Sequence, residues 1–192
     1  MIIGSTINEI FPSLVDPSLR NATQAQVEEY LRKKYGDRAT AFIEEFGRMF
    51  LGYKPGDLLD FNVRTNVIAQ AKAKAEQKGA PVYVYLFAWQ MPLFDGVYKS
   101  IHCMEIPFVF NNATYSANMT GGGPEAQALA DNMSQAWINF ARTGNPNHPG
   151  LPHWPVFNDE KRPTMIFDNK CVVKENHDRK LLDIAGDRAG FF

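Results

Sequence analysis

Met1 to Ser5 is a short apolar run that ends in a Gly-Ser-Thr turn signal, the pattern of a strand buried on both faces. Thr23 with Gln26 three residues later forms a capping-box signature, and Val27, Tyr30, Leu31 and Tyr35 then mark one face of a helix that Gly36 ends. Asp37 offers a cap for a second helix with the stripe Ala39, Phe42, Ile43 and Phe46, before Gly52, Pro55 and Gly56 break the pattern. From Asp57 as N-cap, the positions Leu58, Phe61, Val67, Ile68, Ala71 and Ala75 predict one long third helix with a Lys-rich outer face, closed by Gly79. Val82 to Phe87 carries β-branched and aromatic residues on both alternating faces, which predicts a central strand.

An irregular stretch follows over residues 88–123, holding Trp89, Phe94, His102, Glu105 and Gly121-Gly122-Gly123. Loops of that length inside a compact domain are either functional or disordered. Behind Pro124, Ala126, Leu129, Ala130, Met133, Trp137 and Phe140 recur at helical spacing as a core-facing stripe until Gly144-Asn145-Pro146. Thr164–Phe167 and Cys171–Lys174 read as two short strands joined by Asp168-Asn169-Lys170 in a hairpin-type connection. His177 to Ile184 forms a final helix. The alternation of strands and helices argues an α/β layer architecture.

Composition narrows the function classes. Of 192 residues, 45% are hydrophobic and 21% charged, which places the chain among globular proteins rather than disordered ones. Twenty basic against twenty-one acidic residues give a net charge of −1, so no concentrated basic surface is expected to bind nucleic acid. The longest apolar run is too short to cross a bilayer. Cys103 and Cys171 are compatible with a pair or with two thiols and make no disulfide framework. The sequons at Asn21, Asn112, Asn118 and Asn132 matter only in a eukaryotic secretory pathway.

Candidate chemistry gathers at strand ends. Glu9 follows the first strand, and functional groups collect at the carboxyl ends of strands in open α/β sheets. By position alone it is equally a solvated carboxylate. His102 follows the central strand through a loop. Together, an acid after one strand and a histidine after a later one match the acid-then-His order of the α/β-hydrolase triad, in which serine comes first. The carboxylate would orient the imidazole, and the imidazole would take the serine proton. The 192 residues contain no G-x-S-x-G and no His-Gly-Gly oxyanion segment, and Ser5 lacks the second elbow glycine and is read as structural. His102 and Glu105, with His148, His153 and His177 further along, match no recognised metal-ligand spacing, so no metal is expected.

The motifs themselves carry a resemblance. Ile3-Gly4-Ser5-Thr6-Ile7-Asn8-Glu9 resembles the type-B carboxylesterase segment in which a strand and glycine lead to an acid-Glu pair, that Glu being the family's triad acid. Ser100-Ile101-His102-Cys103-Met104-Glu105-Ile106-Pro107-Phe108-Val109-Phe110 is similar to the family's H-G-x-E-L-P-F-V-F element, whose His is the triad base. Gly79 to Phe87 resembles the strand before that element, and Trp137 to Pro155 the W-x-x-F-A-R-x-G-x-P-N stretch with its following W-P. Cys103 stands where the family usually has Gly, and Asn8 where an acidic residue often precedes the Glu.

The resemblance implies an α/β chain that is the C-terminal portion of an α/β-hydrolase fold, its later sheet strands with flanking helices. Residues 1–192 are then expected to be part of a single domain whose N-terminal part, with the nucleophile, is absent. It implies a Ser-Glu-His ester hydrolase of the para-nitrobenzyl esterase and cholinesterase-like group, inactive alone, with Glu9 and His102 catalytic, Glu105 supporting, and no cofactor. The expected partners are a small-molecule ester and either the missing segment or a second copy bound at an exposed sheet edge. The alternative is a non-catalytic cholinesterase-like binding or adhesion module. Trp89, Met91, Leu93 and Phe94 fit an acyl or alcohol pocket and core packing equally well.

Overall fold

The computed structural model describes residues 1–186. In order the chain forms β1 (Ile2–Thr6), α1 (Pro12–Val15), α2 (Gln24–Tyr35), α3 (Ala39–Met49), α4 (Pro55–Asp60) and α5 (Thr65–Glu76), then β2 (Tyr83–Phe87), α6 (Ile106–Val109), α7 (Ala117–Thr120) and α8 (Pro124–Thr143). It ends with β3 (Thr164–Phe167), β4 (Val172–Lys174) and α9 (Arg179–Ala185). Two compact units result, Met1–Glu9 with Val67–His177, and Ile10–Asn66 with the segment that begins at Asp178.

The first unit is built on the sheet. Among the described residues the strand order is β1-β2-β3-β4, with β1 and β3 parallel to β2 and β4 antiparallel to β3. Every residue of β2 is buried, as its doubly apolar pattern predicts for a strand paired on both sides. β1 departs from expectation: Ile2, Ile3 and Gly4 are half-buried, and only Ser5 and Thr6 are fully covered. An edge strand is paired on one side only, so its apolar run keeps partial exposure. Gly4 is required there, because a Cβ would lie 2.4 Å from the Tyr85 ring of the neighbouring strand.

Below the sheet, α8 lays Ala126, Leu129, Ala130 and Met133 into a core shared with Tyr83, Tyr85, Phe87, Trp154 and Phe167. Trp154 meets Tyr83 and Phe167 edge-on, and its indole N–H donates to the Val84 carbonyl at 3.1 Å. Each such ring contributes roughly 1.5–3 kcal/mol by burial, with about 0.5–1.5 kcal/mol more for a well-placed aromatic pair. Much of this unit's stability therefore sits beside β2, the strand that leads into the loop carrying His102. That loop is less irregular than the sequence suggests: it contains α6, α7 and a single 3-10 turn at Phe94–Gly96.

The second unit is helical. The capping box at Thr23 is formed, its N–H donating to Gln26 Oε1 at 2.8 Å, and Val27, Leu31 and Tyr35 of α2 are buried. α3 packs against α2 and α9, and Tyr35 stacks on Phe42 at 4.6 Å. The long third helix predicted from Asp57 onward is two helices. Pro55, expected to break a helix, occupies the first turn of α4, and Asp57 accepts from the Lys54 N–H at 2.9 Å. Phe61 is already extended. The cause lies in two buried polar side chains. Asp60 accepts from Ser13 Oγ at 2.6 Å, and Arg64 grips Asp178 at 2.6 and 2.8 Å. Continued helix would stack these residues, four apart, on one face, whereas their partners lie in different segments.

Candidate active site

The carboxyl ends of β1 and β2 are held together by a short ladder of backbone bonds. Ile7 N–H donates to the Phe87 carbonyl at 2.9 Å, Asn8 N–H to the Ser100 carbonyl at 3.3 Å, and His102 N–H to the Glu9 carbonyl at 3.0 Å. Ser100 is tied in twice more, its N–H donating to Asn8 Oδ1 at 3.3 Å and its hydroxyl to the Phe87 carbonyl at 3.2 Å. This ladder brings together two side chains that the sequence separates widely.

Glu9 is buried, and its two carboxylate oxygens have different tasks. Oε1 accepts from the Thr6 N–H at 2.7 Å, and Oε2 faces His102 Nδ1 at 2.6 Å. With Nδ1–H donating to that carboxylate, the lone pair of the imidazole sits on Nε2. The His102 side chain is 62% exposed, so Nε2 is open to an incoming group. A hydrogen bond of this length to a carboxylate holds the ring in one orientation.

Glu105 lies one turn beyond His102 at the start of α6, half-buried, and Oε2 makes no hydrogen bond. Burial pushes its carboxyl above the usual range, its own backbone N–H works against that, the Glu9 charge adds to it, and His102 offsets part. Burial also raises the Cys103 thiol, helped by the charges of Glu105 and Glu9, so this sulfur is a thiol rather than a thiolate. The same two carboxylates add to the burial that raises the Tyr85 phenol.

Cys103 carries backbone strain. Its φ is +67°, a left-handed conformation that costs a residue with a Cβ roughly 1–2 kcal/mol. Glycine is free of that penalty but loses more freedom on folding. Cys103→Gly is therefore expected to stabilise the chain by about 1 kcal/mol, read as a higher urea midpoint at unchanged slope.

The four pocket candidates separate. Trp89 and Met91 are buried in the core, Leu93 packs partly against it, and Phe94 is 65% exposed, meeting Tyr98 edge-on at 5.7 Å. His148 is occupied structurally: Nε2 lies 2.9 Å from the Asn132 carbonyl, and Nδ1 accepts from the Gly150 N–H at 3.1 Å. Among the described residues no cluster of three or more His, Cys, Asp or Glu is placed to hold a metal ion. Cys103 and Cys171 are both free thiols. No described helix is long and apolar enough to cross a membrane. The sequence marks Asn8 only as standing where an acidic residue often precedes the Glu; its contact with Ser100 depends on a backbone pairing that the fold brings about.

A family model described as the carboxylesterase family matches residues 7–184. Phenmedipham hydrolase of Pseudarthrobacter oxydans is 34% identical over 178 residues, spanning 88% of this chain and 36% of that protein. Para-nitrobenzyl esterase of Bacillus subtilis (strain 168) is 34% identical over 110 residues, 56% of this chain and 22% of its own length. Among solved structures, a Clostridium hathewayi esterase described as hydrolysing aliphatic aromatic polyesters superposes with a TM-score of 0.77 at 31% identity, over 96% of this chain and 36% of that one. A Geobacillus stearothermophilus carboxylesterase superposes at 0.74 with 26% identity, over 96% of this chain and 40% of that one. The chain thus spans about a third of the length of the curated relatives it matches, or less.

Proposed function

The chain belongs to the carboxylesterase family, and from that premise we propose that Glu9 and His102 are the acid and the base of a Ser-Glu-His ester hydrolase whose serine lies on an upstream segment. Its sheet and helices are the C-terminal part of an α/β-hydrolase fold. One observation carries the reading: a buried carboxylate 2.6 Å from the Nδ1 of an imidazole whose other nitrogen faces outward. On this reading the 192 residues are part of one hydrolase domain, and the outer edge of β1 is the seat of the upstream segment. An unpaired edge with half-buried Ile2 and Ile3 invites a further strand.

In the proposed reaction His102 Nε2 takes the serine proton as the oxygen attacks the ester carbonyl, and Glu9 stabilises the resulting imidazolium. The imidazolium returns its proton to the departing alcohol, leaving an acyl-enzyme. Water then repeats the sequence with the same imidazole, releasing the acid and restoring the serine. Donors to the tetrahedral oxyanion come with the upstream segment, since the 192 residues hold no His-Gly-Gly element. The substrate class is a small carboxylic ester, in line with a relative named para-nitrobenzyl esterase. Glu105 is assigned a supporting role, as a half-buried carboxyl beside the imidazole.

The test is p-nitrophenyl butyrate hydrolysis by the chain alone and by the chain joined to an upstream segment containing G-x-S-x-G. Activity is expected only in the joined protein. A folded joined protein with no activity on any of a short series of p-nitrophenyl esters would move the assignment to a non-catalytic binding module.

A further inference from the structure

His102 stands at the end of a loop that has little regular structure to fix it. Between Phe87 and His102 the chain runs through Phe94, Asp95, Gly96 and Lys99 with positive φ, closed by short-range turns at Leu93–Lys99 and by the Met91 N–H to Lys99 carbonyl bond at 3.0 Å. The imidazole is mostly exposed, so packing does little to hold it. A hydrogen bond as short as the one to Glu9 tolerates little displacement, and small misplacements of a catalytic group are costly.

The end of the loop is tied by the Ser100 hydroxyl on the Phe87 carbonyl at 3.2 Å, by the His102 N–H on the Glu9 carbonyl at 3.0 Å, and by a bracket that Asn8 places on Ser100. The backbone N–H of Asn8 reaches the Ser100 carbonyl, and the Asn8 side-chain oxygen takes the Ser100 N–H, both at 3.3 Å. Asn8 therefore holds both the N–H and the carbonyl of Ser100, two residues before His102. Gln90 Nε2 approaches the same Asn8 oxygen at 3.5 Å from the other end of the loop. Asn8 is itself buried and is the immediate neighbour of Glu9, so the residue that fixes the acid's backbone also fixes the base's.

We infer that Asn8 is a positioning residue for the Glu9–His102 pair, its side-chain oxygen setting the register of the His102 loop against the end of β1. The inference rests on the reading of that pair as the catalytic acid and base, but the geometry it concerns exists without the serine. The required chemistry is an acceptor of the right length at position 8. Asp supplies one, whereas Ala supplies none and Ser places its oxygen one bond short.

The experiment is proton and nitrogen NMR of the 15N-labelled chain in cold water. The wild type is expected to show a proton on His102 Nδ1 far downfield of the amides, protected by its bond to Glu9, and lost in His102→Gln. Asn8→Ala is expected to lose that resonance to solvent exchange while the Trp137 and Trp154 indole signals stay in place, and Asn8→Asp to restore it. If Asn8→Ala does not fold, Asn8→Ser is read in its place. Persistence of the downfield proton in the folded Ala or Ser variant overturns the inference, as does its loss in folded Asn8→Asp or its absence from the wild type. Hydrolysis is not part of the readout: a joined protein without esterase activity, alongside an Asn8-dependent resonance, would sink the esterase reading and leave the positioning intact.

Discussion

Glu9→Gln, in the chain joined to its serine-bearing segment, is expected to lower kcat for p-nitrophenyl butyrate about 10⁴-fold with KM little changed. The size of the loss follows from what each oxygen of Glu9 does. Both accept, one from the Thr6 N–H at 2.7 Å and the other from His102 Nδ1 at 2.6 Å. A carboxamide has one accepting oxygen. The buried Thr6 N–H claims it, because an orphaned backbone donor costs about 1–3 kcal/mol, and the NH₂ group is left facing the imidazole. Nδ1 must then accept, the proton moves to Nε2, and the base no longer has a lone pair for the serine. Binding of the ester does not involve this atom, so the loss falls on kcat. Glu105→Gln serves as the comparison and is expected to cost less than about tenfold, since that carboxyl donates to or accepts from no reacting group. Steady-state kinetics of both variants decide it: a Glu9→Gln enzyme within tenfold of wild type would remove Glu9 from the triad.

The largest effect on stability is expected at Arg64. Its guanidinium holds both oxygens of Asp178, at 2.6 and 2.8 Å, with the two side chains only 1% and 5% exposed. Such a pair is weak evidence of net stabilisation, since desolvating both charges offsets their attraction, but removing one partner leaves the other charge buried. Arg64→Ala should lower the unfolding free energy by about 3–5 kcal/mol, a large part of the roughly 5–15 kcal/mol typical of a domain. Replacing both residues together, Arg64→Met with Asp178→Leu, should recover most of that loss. Urea titrations followed by far-ultraviolet dichroism measure both. Equal losses in the single and double variants would show that shape, not charge, governs this site.

How much of this could be read from the residues depends on the range of the forces involved. β2 declared itself because a strand paired on both sides needs apolar residues on both faces, and the Thr23 capping box because its partners are three residues apart. The order of Glu9 and His102 was visible, and the 2.6 Å approach of their side chains is what the fold adds to it. Exposure of β1 was not visible, because Met1 to Ser5 cannot report how many neighbours a strand has. The break between α4 and α5 was hidden for a similar reason. Asp60 and Arg64 suit the outer face of a helix, and only their partners Ser13 and Asp178, far away in the chain, turn them inward. Asn8 belongs to the same class, since its carboxamide gains its contact with Ser100 from a residue 92 positions away.

The ladder between the ends of β1 and β2 also sets a timetable. Glu9 and His102 are separated by 93 positions, and synthesis at about 5–20 residues per second puts roughly 5–20 seconds between their appearances at the ribosome. For most of that interval, until Tyr83–Phe87 is made, β1 has no β2 to pair with, while α2 and α3, whose contacts are local, form early. Glu9 is thus made long before the strand and loop that bring His102 to it, and β1 waits as a short apolar segment until they arrive.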